Sequence, residues 1–290
     1  MALDSMKEIF DQMERENIPF WEVVLQADME ERQVTRKQSM AKMLITWQAM
    51  EDAADTYTGT RKSVSGLVGG DGIKMRQYAM RGAAMSGGYV CDVIAEALSM
   101  AESNACMRRI VAAPTAGACG VLPAVLLPIC NYEELTQHQL LEALYVASGI
   151  GAVIAHRACI SGAAGGCQAE IGTAAAMAAG ALVAIKGGTG AQIGHAVAMA
   201  LKNLMGLICD PVAGLVEVPC VKRNAAGAVI AMSSADMALA GIRSAVPPDE
   251  VILAMREVGD KMDVSLKETG VGGVAGTPFG QKIAEKMGMA

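Results

Sequence analysis

The sequence predicts an all-α fold, a single helical domain with glycine-rich loops between its helices. Three observations carry that expectation. The apolar share is 52%, yet aromatics make up only 3%, and the bulk of it is small or flexible, with 21 Met among many Ala. Ala and Met favour helix, while the Val, Ile and aromatic clusters that mark strands are sparse. Apolar residues also recur at helical spacing, as Met6, Ile9, Phe10 and Met13 do. At 290 residues the chain can bury a sizeable core, and 1–290 is read as one domain with 1–56 as a helical scaffold inside it.

Composition excludes several functions. The net charge is −6 and the 24 basic residues are scattered, with no basic stripe interleaved with aromatics for nucleic acid. The opening MALDSMKEIFDQMERENIPF lacks a basic segment followed by an apolar run, so no secretory signal is expected and the cytoplasm is the expected location. The longest uncharged apolar stretch, Ile171 to Ile185, is 15 residues, short of the roughly 20 that span a bilayer. It reads as a buried core helix, and no membrane association is expected. Eight cysteines in such a chain argue against a disulfide framework.

Taken in order, residues 1 to about 56 read as two or three charged amphipathic helices, the first broken at Asn17–Pro19. Residues 57–72, YTGTRKSVSGLVGGDG, hold five glycines, two serines and Lys62. They lack GxxxxGK[ST] and a preceding strand, so a phosphate loop fails. The span reads either as a linker or as a loop that holds a small anion with Ser63, Ser65 and backbone N–H groups. Met75 to Arg109 reads as helix, stopped at Pro114. Thr115–Ala116–Gly117 then makes a tight turn before a segment starting at Gly120–Pro123, and such a corner aims N–H groups at one spot suited to a carboxylate.

Glu134 to Ile160 reads as a long helix bearing His138 and His156, and His195 follows another glycine-rich break. No two His lie at i, i+4, so a zinc helix is absent. Helix is expected again after Cys220 and after Pro247–Pro248. A glycine-rich loop follows at 269–279, and a short helix ends the chain.

The chemistry concentrates between Ser161 and Cys220. Cys167 lies in a glycine-rich turn, Cys209 precedes Asp210–Pro211, and Cys220 follows Pro219; 41 and then 10 residues separate them. Cys91, Cys106, Cys130 and Cys159 sit within apolar helical patterns and read as small buried hydrophobes. Cys119, flanked closely by Gly117 and Gly120, could be a fourth ligand beside Cys167, Cys209 and Cys220. Structural zinc calls for four ligands with short-spaced pairs, which these spacings do not give. Three thiols could instead hold a [4Fe–4S] cluster with one iron open as a Lewis acid for a hydroxyl. The residues alone leave a cluster, zinc and no metal open.

The runs IVAAPTAGACGVLP (110–123), ISGAAGGCQAEIGTAAAMAAG (160–180), GLICDPVAGLVEVPCVKRNA (206–225) and VPPDEVILAMREVG (246–259), with SGLVGGD (65–71), closely resemble the alpha chain of the two-subunit iron–sulfur L-serine dehydratases. The resemblance covers essentially the whole chain. It implies a largely helical catalytic chain with an oxygen-sensitive [4Fe–4S] cluster on Cys167, Cys209 and Cys220. It also implies a beta-chain partner and conversion of L-serine to pyruvate and ammonia without pyridoxal phosphate. Carried over residue by residue, Ser65, Gly66, Gly69, Gly70 and Asp71, Thr115, Ala116 and Gly117, and Ser161, Gly162, Gly165 and Gly166 would line the substrate pocket. Glu170 would lie just behind the cluster ligands. Lys62, His156 and His195 are candidates for the general base, which is left unassigned.

Two positions depart from the family pattern: Ala118 where a serine is expected and Ala164 where a glutamate is expected. Both bear on pocket polarity and substrate preference. The C-terminal segment holds no cysteine that could cap the fourth iron. The alternatives are a non-catalytic cluster- or zinc-binding scaffold subunit, or a related lyase such as a cysteine desulfidase.

Overall fold

The computed structural model describes residues 3–82 and 84–289. Among them the chain is built of helices: α1 (Met6–Glu16), α2 (Phe20–Arg32), α3 (Arg36–Asp55), α4 (Asp71–Ala79), α5 (Gly87–Ala105), α6 (Val121–Tyr132) and α7 (Gln137–Arg157). There follow α8 (Gly162–Gly165), a π turn (Gln168–Gly172) that runs straight into α9 (Thr173–Ile185), α10 (Gly190–Leu204), α11 (Cys220–Leu239), α12 (Pro248–Lys261) and α13 (Pro278–Lys286). The all-α expectation holds. Extended pairing among the described residues is confined to an isolated parallel bridge, Cys209 with Lys267.

Helix α9 is the hub because its sequence, TAAAMAAGALVAI, presents small side chains on every face. Thr173 to Val183 are all buried. α6, α7, α10 and α11 pack around it. Contact with α7 is close where Gly180 meets Ile150 and Gly151 meets Met177. At Gly151 a methyl would stand 2.9 Å from the Met177 sulfur, so the two backbones approach as only glycine permits. Start signals are local. Thr35, Thr136 and Thr189 each form a capping box with the Gln three residues on, opening α3, α7 and α10.

The N-terminal helices belong to the same body. α2 lies along α7, with Phe20 and Val24 against Gly149. The start of α1 is held from α12, where the Asp249 carboxylate accepts from Met6 N at 3.0 Å and Lys7 N at 2.9 Å. Asp249 also pairs with Arg157 at 3.3 Å.

Three boundaries differ from the sequence reading. The expected helix from Met75 to Arg109 is two helices, because Gly82 and Gly87 take positive φ of 70° and 76° between α4 and α5. α5 then ends at Ala105, with Met107 left-handed at φ 58°, well before Pro114. The apolar run counted as 15 residues is lengthened by the π turn to Gln168–Ile185, which, like α7 (Gln137–Arg157), is long and apolar enough to cross a membrane. Yet 83% and 67% of their apolar windows are buried inside the molecule.

Candidate active site

Three cysteines far apart in sequence are brought to one place by three different local devices. Cys167 follows α8 and Gly166, whose φ of 77° turns the chain into the π turn. Single π turns inside helices recur at functional sites because they re-aim side chains. Cys209 lies in an extended stretch whose backbone is gripped on both sides by the tail: its N–H donates to Leu266 O at 2.8 Å, and its carbonyl accepts from Glu268 N at 2.7 Å. Cys220 opens α11. All three are buried, at 3%, 3% and 9% exposure.

Around them stand residues that the sequence reading did not single out. Asn224, fully buried one turn after Cys220, receives Gly120 N at 2.8 Å and donates to Gly117 O at 2.8 Å and Cys220 O at 3.0 Å. It thereby fixes the Thr115–Gly117 turn onto α11. Gln168 accepts from Gly206 N at 2.8 Å and donates to Met255 O at 2.9 Å, locking the π turn between the Cys209 segment and α12. Arg223 donates to Ile208 O and to the buried Asp210, each at 2.8 Å. Asp210 in turn accepts from Val274 N at 2.8 Å and anchors the glycine-rich tail.

Glu170 lies among these segments. A methyl built on Gly162 would stand 2.8 Å from both Cys209 Sγ and Glu170 Oε2; one on Gly117 would stand 3.3 Å from both Glu170 oxygens. The two glycines therefore leave the room that the carboxylate and thiol occupy. Burial pushes the Glu170 pKa up and the Glu268 carboxylate adds to it, while Thr115 and the Gly162 N–H pull it down. The Thr115 hydroxyl is buried without a well-aligned hydrogen-bond partner. Ala116 and Ser161 are exposed, and Gly165 and Gly166 are buried, with Gly165 against the Cys159 sulfur.

The thiols feel one another. Burial pushes Cys167 up to about 11 and Cys220 up to about 12, and it raises Cys209 as well. The charges of Cys167, Glu170, Glu268 and Cys220 add to the effect at Cys209. At Cys167 and Cys220 the Arg223 guanidinium opposes it. A metal or cluster takes cysteines as thiolates, so its binding would release the protons that burial favours here. Among the described residues no three His, Cys, Asp or Glu side chains converge as a single ion requires. An all-thiol donor set fits an iron–sulfur group.

The remaining cysteines stay apart from this set. Cys119 is fully buried, gives its S–H to Met100 O at 3.8 Å and is held up to about 12 by burial. Cys91 and Cys130 lie in α5 and α6, whereas Cys106 and Cys159 fall just past helix ends and are partly exposed, not inside helices as expected.

The loop 57–72 does bind anions, but they are the chain's own. Ser63 Oγ donates to Glu217 at 2.6 Å, and Ser65 Oγ and its N–H also reach Glu217. Gly70 N and Asp71 N donate to Glu102 at 3.0 and 2.9 Å, joined by the Tyr57 hydroxyl. Glu102 and Glu217 are 1% and 5% exposed. Gly66 closes the Ser63 turn, and the Gly69 carbonyl takes Lys62 Nζ at 2.6 Å. Of the other candidate bases, His156 pairs with Asp4 at 3.4 Å, while His195 has its pKa lowered by burial and by Arg243. Both departures from the family pattern have clear positions: Ala118 is fully buried in the core, and Ala164 is exposed on α8.

Comparison with known proteins follows the same lines. The family described as serine dehydratase alpha chain matches residues 15–275. The chain is similar to the probable L-serine dehydratase alpha chain of Bacillus subtilis, 44% identical over 98% of this chain and 94% of the relative. It is also similar to the L-serine dehydratase alpha chain of Peptoniphilus asaccharolyticus, 41% identical over 97% of each. L-serine dehydratase 2 of Escherichia coli is 45% identical over 62% of this chain and 40% of its own length. A match that runs from α1 into the tail, over every segment that builds the thiol site, places this chain in the serine dehydratase alpha chain family.

Proposed function

We propose that this chain is the catalytic alpha chain of an L-serine dehydratase, working with a beta chain and a [4Fe–4S] cluster on Cys167, Cys209 and Cys220. The observation that carries the reading is the meeting of the buried Cys209 thiol with Glu170 at Gly162, with Cys167 and Cys220 near enough to act on Cys209. Near-full-length similarity to proteins named L-serine dehydratase alpha chain supports the substrate and the partner.

When bound, a cluster with one iron free of cysteine supplies a Lewis acid for the departing hydroxyl. The protein's part is positional and electrostatic. Cys167, Cys209 and Cys220, all buried, would hold the group. Glu170, its pKa raised by burial, is set to keep or release a proton on its carboxyl beside the site. L-Serine loses its α proton and β hydroxyl as water to give aminoacrylate, and hydrolysis of its imine tautomer yields pyruvate and ammonia.

Anaerobic co-purification with the beta chain tests this. The expected product is brown, carries about four irons per alpha chain and releases pyruvate from L-serine. Colourless protein that binds one zinc, or iron-loaded protein without turnover of L-serine, would overturn it.

A further inference from the structure

One side chain ties two of the three cysteine segments together. Arg223 lies on α11 one turn beyond Cys220. Its Nη1 donates to Ile208 O and its Nη2 to Asp210 Oδ1, both at 2.8 Å, so the fork straddles Cys209. The same guanidinium lies against the Cys167 thiol. Its side chain is 17% exposed and that of Asp210 3%. A guanidinium serving only to neutralise Asp210 would need one of these contacts. The second arm on a backbone carbonyl and the face toward Cys167 call for another explanation.

Charge supplies it. Arg223 brings a cation, its side chain only 17% exposed, onto the Cys209 segment from the first turn of the helix that Cys220 opens. Lysine would keep the charge but not the fork, because a point ammonium cannot reproduce two fixed parallel donors. An uncharged residue would lose both. A buried positive charge beside an iron–sulfur group favours its more reduced, more negative state, and net charge and hydrogen bonds to sulfur set such potentials.

We propose that Arg223 is a positioning residue for the group held by Cys167, Cys209 and Cys220: its fork ties the Cys209 segment to the helix that Cys220 opens, and its charge raises the group's reduction potential. This rests on the iron–sulfur reading above. It is distinct from the turnover of L-serine, which changes no oxidation state.

The test uses the full chain co-expressed with its beta chain and purified without oxygen, as wild type, Arg223→Lys and Arg223→Gln. Iron per chain, the one-electron midpoint by spectroscopically followed titration, and iron release to a chelator are measured, with helix content as the control for folding. In Arg223→Gln the ratio of oxidised to reduced group at a fixed poise should rise about tenfold, a fall of about 59 mV, and iron should leave about tenfold faster. Arg223→Lys should restore the midpoint but not the slow release. Wild-type midpoint and release in Arg223→Gln would overturn the proposal and leave the cluster reading intact. If Arg223→Gln does not fold, wild-type release in Arg223→Lys would overturn it. A wild-type chain that takes up no iron–sulfur group would overturn both readings at once.

Discussion

Gly162 stands so close to Glu170 that a single methyl on it would lie 2.8 Å from the carboxylate and, equally, 2.8 Å from Cys209 Sγ. Two groups crowd one hydrogen atom's worth of space. Gly162→Ala must therefore displace the thiol, the carboxylate or α8. Its kcat should fall about 100-fold, as for a misplacement of about 1 Å near the chemistry. Gly117→Ala, whose methyl would meet both Glu170 oxygens at 3.3 Å, should fall much less. Steady-state kinetics on folded, iron-loaded variants checks the order, and equal losses would be evidence against it.

Cysteine replacements should divide sharply. Cys209→Ser is expected to lose both iron and turnover. Cys119→Ser, buried away from the site with its S–H on Met100 O, is expected to keep its iron. Iron analysis of the two variants, purified side by side, decides the ligand assignment.

The loop 57–72 should depend on Glu217. Glu217→Ala leaves the hydroxyls of Ser63 and Ser65 without their acceptor and should cost about 1–3 kcal/mol. Glu217→Gln retains one acceptor oxygen and should cost less. Thermal melting gives the loss, and faster proteolysis within 57–72 would place it in the loop.

Acid should loosen the same region. Asp71 pairs with Lys222 and Lys74, each at 2.8 Å, and their hydrogen bonds hold its carboxyl below the ordinary 3.8. Unfolded Asp71 takes up its proton at the higher pH, so the pair's stabilisation is complete above about 3.8 and disappears as pH falls through the lower folded value. With Lys222 60% exposed the effect is small, at most about 1 kcal/mol. Asp71→Asn should flatten that part of the stability curve measured by denaturant titration between pH 5 and pH 2.

Much of this was legible from residues alone, for physical reasons that differ by element. α9 was readable because a run of Ala and Gly with no charge has nowhere to go but the interior. The three cysteines stood out because Gly166, Pro211 and Pro219 pin the backbone beside each. The break between α4 and α5 was also written in the chain, as Gly82 and Gly87–Gly88, but the helical spacing on either side masked it. What could not be read was partnership across distance. Glu217 answers Ser63 over 154 positions, and Asn224 answers Gly117 over 107. The anion that loop 57–72 prefers is thus another part of the same chain. Arg223 sits in the quoted stretch VKRNA, yet nothing local says that its fork straddles Cys209.

The pairing of Cys209 with the tail sets an order of manufacture. Neither backbone partner of Cys209, Leu266 nor Glu268, exists until synthesis has run well past the cysteine itself. The Asp210 anchor waits longer still, for Val274. A nascent chain that has not reached residue 266 therefore carries a Cys209 whose backbone is not yet held. A chain cut before residue 266 would leave Cys209 without either backbone grip, and on the proposed reading it should take up no iron.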